Sequence, residues 1–388
     1  MRSKLAAILP IALVIACTCA FAAPRGTLAD TGVAQQRAAH LRRGINLSKW
    51  FAGGSDASAY TRQHFETAIT ARDLGLIRAM GFDYVRLSVD PRPMFHEKQS
   101  EQIASDYLTE LDTALQMLLD QGLAVDIDIY ADADFKERLA TDDESVEEYA
   151  DFWRALARHW STLDPDRVFF EILNEPEIDD AYRWAGIQAH LAAAIRKVDP
   201  RHTLIATGAN YSSLRDLLRL TPLADGNVIY AFHFYEPHEF THQGANWSTP
   251  WWSETHSIPY PVPYPATMAL MQPFLQEVPN RADRAELENY FLDAWDARHI
   301  QALIDEAADW ARAHRVPLVC DEFGAYRGYS DPASRANWIH DTRKALDADG
   351  IGWAMWEYRG GFGLVTKQDS QPAQVDESVV KALGLSSH

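Results

Sequence analysis

Short apolar or β-branched runs alternate along the chain with longer segments whose apolar residues recur at spacings of three and four. The short runs are typical of buried strands, and the longer segments are typical of amphipathic helices. The pattern predicts eight strands: Gly44–Leu47, Tyr84–Val89, Ala124–Ile129, Val168–Leu173, Thr203–Ala206, Val228–Phe234, Pro317–Cys320 and Gly352–Trp356. Helices are predicted between them, among others at Tyr107–Asp120, Val146–His159, Arg183–Lys197, His299–His314 and Ala333–Leu346.

The order of these elements indicates the fold class. A strand and a helix that alternate eight times form a parallel sheet with crossover helices, and a chain of this length closes such a sheet into a barrel. An open nucleotide-binding sheet would carry a glycine fingerprint after its first strand, but the stretch GINLSKWFAGGSD contains neither GxGxxG nor GxxxxGK[ST]. No internal repeat or linker follows residue 41. We therefore predict an α/β fold, a single-domain (β/α)8 TIM barrel, over residues 41–388.

The amino terminus has the pattern of an export signal. Arg2 and Lys4 precede an apolar run, and a small-x-small cleavage site ends at Ala22. The run is too short to span a bilayer comfortably. We predict a signal peptide at residues 1–22, an N-terminal extension at residues 23–40, and secretion or a periplasmic location.

The three cysteines leave a second interpretation open. Val14-Ile15-Ala16-Cys17 resembles a bacterial lipoprotein box, so the alternative is an outer-membrane lipoprotein anchored through Cys17. A membrane partner is expected only in that case. Cys19 lies at the edge of the signal, and Cys320 is alone in the mature chain, so no internal disulfide is expected.

The charge of the chain limits its partners. Fifty-five acidic residues against 36 Lys and Arg give a formal net charge of −19. Nucleic acid binding needs clustered cations, so no nucleic acid partner is expected. A neutral substrate fits this surface better, although solubility alone explains the acidity equally well.

Polar residues stand where several predicted strands end. The carboxyl ends of the strands form the active face of a (β/α)8 barrel. Glu175 ends the fourth strand and Glu322 follows the seventh, so they would face each other across the barrel mouth. Glycoside cleavage requires such a pair, with one carboxyl group protonated and the other ionised. A single Glu at a strand end would be explained by a salt bridge. Burying two carboxylates that have no function would cost free energy through desolvation and mutual repulsion.

Six short motifs follow one another along the chain: GIN at 44–46, VRLSV at 85–89, NEP at 174–176, HFYEP at 233–237, DEFG at 321–324 and WAMWEY at 353–358. In this order they resemble glycoside hydrolase family 5, the large cellulase family. The resemblance implies that Glu175 is the acid/base and Glu322 the nucleophile of a retaining reaction, with carboxyl groups about 5 to 5.5 Å apart. It also implies that Arg86 keeps Glu322 charged and that repulsion from Glu322 keeps Glu175 protonated.

The same resemblance suggests residues that bind substrate. Asn174 would donate to the sugar 2-hydroxyl, Tyr235 would hydrogen-bond the nucleophile, and His233 would line the cleaved-bond site. Trp356 would form a platform under the sugar, although core packing is the alternative for this residue. Arg86 is also expected to contribute to substrate binding.

Aromatic side chains are the expected contacts for the apolar faces of sugars. Trp50 in the first loop and Trp247, Trp251 and Trp252 in the sixth are the candidates, and we expect about half of them to contact glycan. The sixth loop, within residues 236–284, is long and aromatic, which favours a function. Many members of the family end the third strand with a histidine. In this chain the stretch DIDIYADAD places Tyr130 or Asp132 at the end of the third strand, so the residues do not indicate which glucan is preferred.

The function expected from these observations is endo-acting, retaining hydrolysis of β-1,4-glucan by a monomer, with a β-linked polysaccharide or oligosaccharide as substrate and no cofactor or metal. Hydrolysis of β-mannan or another β-glucan is an alternative within the family. An alternative of a different class is a catalytically silent glycan-binding or exopolysaccharide assembly protein. A metal site at His233, His238 and His242 is disfavoured because their spacing matches no HExxH-like pattern.

Overall fold

The computed structural model describes residues 31–54 and 56–386. Eight parallel strands form a closed barrel in chain order. They are β1 (Arg43–Phe51), β2 (Tyr84–Val89), β3 (Ala124–Ile129), β4 (Val168–Glu171), β5 (Thr203–Thr207), β6 (Val228–Phe234), β7 (Leu318–Phe323) and β8 (Gly352–Met355). The predicted (β/α)8 TIM barrel is therefore confirmed. The short strands β9 (Val365–Thr366) and β10 (Gln374–Val375) pair antiparallel outside it.

Helices surround the barrel and fill its loops. They are α1 (Gly32–Arg37), α2 (Arg62–Ala68), α3 (Ala71–Met80), α4 (Asp106–Asp120), α5 (Ala133–Thr141), α6 (Asp143–Trp160), α7 (Ala181–Arg196), α8 (Ala209–Ser212), α9 (Leu214–Leu217), α10 (His238–Thr241), α11 (Met268–Leu275), α12 (Arg281–Leu292), α13 (Ala297–His314), α14 (Pro332–Ala348) and α15 (Glu377–Ala382). The five helices predicted from periodicity correspond to α4, α6, α7, α13 and α14, with ends that differ by at most three residues.

Three strands, β2, β3 and β6, have the predicted bounds, and the largest differences lie at β1 and β7. β1 continues to Phe51 because it stays paired with β2 up to Val89. β7 begins after Pro317, which has no N–H to donate, and it continues to Phe323. Glu322 therefore lies inside the seventh strand rather than after it. The register shifts between Cys320 and Phe323, which marks an irregularity in the strand at this position.

The amino end of the barrel is closed by packing. A Cβ on Gly44 would lie 2.4 Å from the ring of Tyr84, so the glycine makes room for a tyrosine inside the barrel. Ala34 of α1 is fully buried in the same cluster as Tyr84 and Phe169. Residues 31–40, which belong to the predicted N-terminal extension, thus contact the barrel through Ala34 and Ala38.

The predicted signal peptide at residues 1–22, together with Cys17 and Cys19, lies outside the described residues. Within residues 31–54 and 56–386, none of the helices has the length and hydrophobicity needed to cross a membrane. Cys320 is buried and free.

Candidate active site

A cleft of about 570 Å³ opens at the carboxyl ends of the strands. Its lining includes eight residues selected from the sequence as catalytic or sugar-binding candidates: Tyr130, Glu175, His233, Tyr235, Trp247, Trp252, Glu322 and Trp356. These residues come from strands or loops that are distant in the chain. The barrel brings them together because all of its parallel strands point the same way.

Buried aromatic side chains of α6 hold the end of β4. Tyr149 and Trp153 both donate to the carbonyl oxygen of Ile172, at 2.6 and 3.0 Å. The Asn174 N–H donates to Ile129 O at 3.0 Å, so pairing with β3 continues past the end of the strand. Glu175 then adopts φ +42°, a left-handed conformation that is unfavourable for a residue with a side chain. This turn directs its carboxylate into the cleft.

The two glutamates lie close to each other on the floor of the cleft. Carboxylate oxygens of Glu175 and Glu322 and a ring nitrogen of His233 all lie within 4.8 Å of one another. His233 Nδ1 lies 3.0 Å from Glu175 Oε1 and 3.5 Å from Glu322 Oε2. The Tyr235 hydroxyl donates to Glu322 Oε2 at 2.8 Å. The imidazole thus bridges the two carboxylates.

Arg86 lies beneath this pair and is fully buried. Its Nη1 donates to Glu322 Oε1 at 2.6 Å, and its Nε and Nη2 donate to the two oxygens of Glu171 at 2.6 and 2.7 Å. Its remaining N–H groups donate to Asn46 Oδ1 and Asn174 Oδ1, both at 3.0 Å, so no donor is left for a ligand in the cleft, and its assignment as a substrate-binding residue is wrong. It binds the carboxylate that faces the cleft instead.

Asn174 is also fully buried, beside Arg86. Its Oδ1 accepts from Arg86 Nη2 at 3.0 Å, which fixes the orientation of the amide. Its Nδ2 has no hydrogen-bond partner in the part of the chain that the structure describes. The amide therefore keeps an unused donor next to the glutamates.

Four buried carboxyl groups surround Arg86, and the sequence reasoning selected none of them: Asp126, Asp128, Glu171 and Asp321. Arg86 lies 3.3 Å from Asp128 and 3.8 Å from Asp321. Burial raises the pKa of Asp126 and Asp128 well above their usual value, and it raises that of Asp321 to about 7. The alternation in DIDI, with two acids on one face of a buried strand, was the signal that could have found this set.

Burial and mutual charge shift the pKa values on the cleft floor. Burial disfavours the His233 imidazolium, but Glu322 and Glu175 outweigh it and raise the pKa of His233 to about 9. Burial also acts on Glu175, yet the hydrogen bond and charge of His233 hold the pKa of Glu175 below its usual value. Burial raises the pKa of Glu322, while His233 and Arg86 oppose this shift. These directions are opposite to the expected ones, because His233 is an additional cation beside Glu175 and because burial outweighs Arg86 and His233 at Glu322.

The candidate aromatic residues divide into two groups. Trp356 and Tyr130 both line the cleft, and their rings stack at 6.1 Å between centroids. Trp247 is 54% exposed and also lines the cleft, as does Trp252.

Two tryptophans do not reach the cleft, and their selection as sugar contacts was wrong. Trp50 is 2% exposed, and its indole N–H donates to Phe65 O at 2.9 Å. Trp251 is 5% exposed and belongs to the main hydrophobic core. Asp132 caps the N-terminus of α5 by accepting from the Phe135 N–H, so only Tyr130 of the two residues proposed after β3 lies in the cleft.

The loop after β5 contributes to the cleft and was not predicted. Asn210, Tyr211 and Ser212 have consecutive φ values of +52°, +63° and +53°. Tyr211 is 51% exposed and lines the cleft. No sequence signal marked this loop, since left-handed residues other than glycine are not recognised from composition.

The histidines of the sixth loop are stacked rather than arranged around a common point. His238 and His242 lie 5.1 Å apart between ring centroids, and burial lowers the pKa of His242 to about 3. Among the described residues, the two groupings of ligand-type side chains are Glu175–His233–Glu322 and Glu171–His233–Asp321. Both depend on His233, whose pKa the neighbouring carboxylates raise to about 9 against the effect of burial, so a metal ion at either grouping would have to displace a proton from the imidazole.

Comparison with known proteins agrees with this geometry. The family model described as cellulase (glycosyl hydrolase family 5) matches residues 49–361. Endoglucanase C of Acetivibrio thermocellus is 29% identical over 349 residues, which are 88% of this chain and 98% of that protein.

Solved structures share the fold. An endoglucanase of Thermotoga maritima superimposes with a TM-score of 0.72 at 24% identity, covering 90% of this chain and 99% of that one. The cellulose synthase subunit Z of Clostridioides difficile gives 0.70 at 22% identity, with 88% and 99% covered. The resemblance inferred from the six motifs is confirmed, and the chain belongs to the cellulase family of glycoside hydrolases, glycosyl hydrolase family 5.

Proposed function

We propose that this protein hydrolyses internal β-1,4 linkages of glucan with retention of anomeric configuration. The observation that carries the proposal is the pair Glu175 and Glu322, whose oxygens approach within 4.8 Å on the floor of an open cleft. Retaining glycosidases hold their two carboxyl groups about 5 to 5.5 Å apart, and inverting enzymes hold them about 6.5 Å apart or more. The short separation favours covalent catalysis over direct attack by water.

Glu322 is the proposed nucleophile. Its two oxygens accept from Arg86 and Tyr235, so both donors stabilise the carboxylate form. Arg86 is fully buried and is held on its other edge by Glu171, which limits movement of the nucleophile. A carboxylate held in this way can attack the anomeric carbon and form a glycosyl ester.

Glu175 is the proposed acid/base, with His233 as its proton partner. In the free protein one proton is shared along the 3.0 Å contact between His233 Nδ1 and Glu175 Oε1. A bound sugar excludes water, and a low dielectric favours a neutral imidazole and carboxylic acid over an ion pair. The proton then lies on Glu175, which can transfer it to the leaving oxygen. After the ester forms, Glu175 accepts a proton from a water molecule while the water oxygen attacks the anomeric carbon, which breaks the ester bond and releases Glu322 as a carboxylate.

The remaining cleft residues position the sugar. The free Nδ2 donor of Asn174 is suited to the sugar 2-hydroxyl, an interaction that strengthens in the transition state. The stacked pair Trp356 and Tyr130 offers an apolar face to a pyranose ring, and Trp247 offers a second one.

The preference for β-1,4-glucan rests on the relatives, several of which are named endoglucanases. The test is the product profile on cellohexaose, carboxymethylcellulose and mannan, with the anomer of the first product followed by NMR. Short β-configured products from the interior of the glucan are expected. Release from mannan alone would replace glucan as the substrate, and α-configured first products would overturn retention. Binding without release of any reducing sugar would favour the glycan-binding or exopolysaccharide assembly alternative.

We further propose that the protein is exported as a monomer after removal of residues 1–22. Amino-terminal sequencing of the mature protein is expected to place the cleavage after Ala22. Globomycin-sensitive processing would instead show lipidation at Cys17.

A further inference from the structure

A second pocket, of about 430 Å³, lies beside the cleft and carries basic side chains. Its lining includes four residues that are cationic at neutral pH: Lys49, Arg327, Arg359 and Lys367. The whole chain has a net charge of −19, so this group of cations contrasts with the acidic character of the protein. We call it the basic pocket.

The basic pocket shares a wall with the cleft. Trp356 and Phe362 line the cleft, whereas Arg359 and Gly360, which lie between them in the chain, line the basic pocket. Arg327 follows β7, and its N–H donates to Gly361 O at 2.9 Å, which joins it to the same loop. The two depressions are therefore neighbours at the carboxyl end of the barrel.

Two of the four cations already have carboxylate partners. Arg359 pairs with Asp369, and Lys367 lies 3.4 Å from Asp73 with its side chain 1% exposed. Asp56 also lines the pocket, where it accepts hydrogen bonds from the N–H and the hydroxyl of Ser58. These acids limit the positive charge, so the pocket suits a single negative charge better than a polyanion.

The other two cations form no ion pair in the described part of the chain. Lys49 is exposed, and its charge opposes the rise that burial causes in the pKa of Glu357. The side chain of Arg327 donates to Val365 O and to the Thr366 hydroxyl. In the cavity at the opposite end of the barrel, three of the four arginines pair with carboxylates, among them Arg43 with Asp83 at 2.9 Å. Lys49 and Arg327 thus keep the capacity to bind an anion from outside.

From this arrangement we propose that the basic pocket binds a carboxylate carried by a substituent of the glycan that occupies the cleft. Lys49 and Arg327 are the groups that contact it, whereas the charges of Arg359 and Lys367 are already balanced by Asp369 and Asp73. The protein then selects glucan that bears acidic substituents over neutral glucan. This selection rests on the proposed glucan hydrolysis, whereas anion binding by the pocket does not.

Carboxymethylcellulose and hydroxyethylcellulose test the selection, since both are soluble β-1,4-glucans and only the first is anionic. The ratio of their kcat/KM values is measured at a fixed salt concentration for the wild type and for the double variant Lys49→Gln/Arg327→Gln. We expect the ratio to fall by about three- to tenfold, from two solvent-exposed charge contacts, with activity on hydroxyethylcellulose nearly unchanged. The single variant Lys49→Gln should give part of this decrease, and it avoids the backbone contact that Arg327 makes.

A matched control removes the same two charges elsewhere. Lys197 and Lys344 are exposed and lie outside both the cleft and the basic pocket. The variant Lys197→Gln/Lys344→Gln should leave the ratio unchanged. An equal fall in both double variants would show general repulsion from an acidic protein and would overturn the proposal.

Binding separates this proposal from the proposed hydrolysis. Retardation of Glu322→Gln in gels that contain either polymer is compared with that of the same variant carrying Lys49→Gln/Arg327→Gln. Stronger retardation by the anionic polymer, lost with the two cations, would support the pocket even if the wild type hydrolysed neither polymer. Equal retardation in both gels would overturn the proposal. Calorimetric binding of inorganic phosphate that needs both cations, without any preference for the anionic polymer, would also overturn it.

Discussion

The two ends of the barrel each carry a cavity of similar size, yet their charges are arranged differently. The cavity at the amino end, of about 500 Å³, is lined by four arginines: Arg42, Arg43, Arg78 and Arg167. Arg43 and Asp83 pair there with side chains 48% and 25% exposed. At the carboxyl end, Arg86 and Glu171 pair with no exposure at all.

The difference shows that the volume of a cavity does not identify an active site. Exposed ion pairs are screened by water, so each member has only a small effect on the protonation of the other. Facing charges that are buried shift each other's pKa, as His233 and Glu175 do. The carboxyl end therefore has the perturbed groups that proton transfer needs, and the amino end has groups suited to holding the fold together.

The largest expected effect is on turnover at the carboxyl end. Glu322→Gln should lower kcat by roughly 10⁴-fold, because the amide cannot attack the sugar. Glu175→Gln should lower it by roughly 10³-fold on substrates with poor leaving groups. Reducing-sugar release from carboxymethylcellulose measures both, and circular dichroism shows whether each variant is folded.

Glu177 offers the matched control for these variants. It lines the same cleft two residues from Glu175, but its carboxylate pairs with Lys136 at 3.1 Å. Glu177→Gln should keep activity within about tenfold of the wild type, since this pair is partly exposed. Equal losses of activity in Glu177→Gln and Glu175→Gln would contradict the role of Glu175 as the acid/base.

The next effect is on stability. Arg86→Met would leave Glu171, Glu322 and Asp128 without their buried cation, which should cost about 3 to 5 kcal/mol in the free energy of unfolding. Urea unfolding followed by tryptophan fluorescence measures this cost. A loss below about 1 kcal/mol would mean that Arg86 contributes no more to the free energy of unfolding than an exposed arginine at the amino end does.

The pH profile tests the shared proton of His233 and Glu175. In the wild type the pair keeps its proton until His233 titrates, so kcat/KM should fall above about pH 9. In His233→Gln the carboxyl group alone holds the proton, and its pKa lies below that of the imidazole. The alkaline limb should therefore move to lower pH. An unchanged limb would show that His233 does not share the proton of Glu175.

The smallest effect is expected at the amino end. Arg43→Gln breaks an exposed pair with Asp83, so the free energy of unfolding should fall by less than about 1 kcal/mol and activity should stay at the wild-type level. The same urea and activity assays apply. A stability loss as large as that of Arg86→Met would remove the contrast between the two ends of the barrel.

Much of this fold was predictable because strand and helix periods are local. β2, β3 and β6 have the predicted bounds, since each is an uninterrupted buried run. Glu175 and Glu322 were identified because polar residues interrupt apolar strand patterns there. Trp50 at the end of β1 and Trp251 in the sixth loop were misassigned because the sequence does not show whether a tryptophan ring faces a cleft or the core.

The sequence by itself determined the order of strands and helices, the parallel barrel and the choice of two glutamates, because these follow from local patterns and from motifs in a fixed order. Only the tertiary structure decided that His233 bridges the glutamates, that Arg86 lies under them among four further acids, and that Lys49 and Arg327 keep their charges unpaired. The reason is physical. A pKa, an ion pair or a stacking surface depends on distance and desolvation between residues far apart in the chain, and these exist only once the barrel has closed.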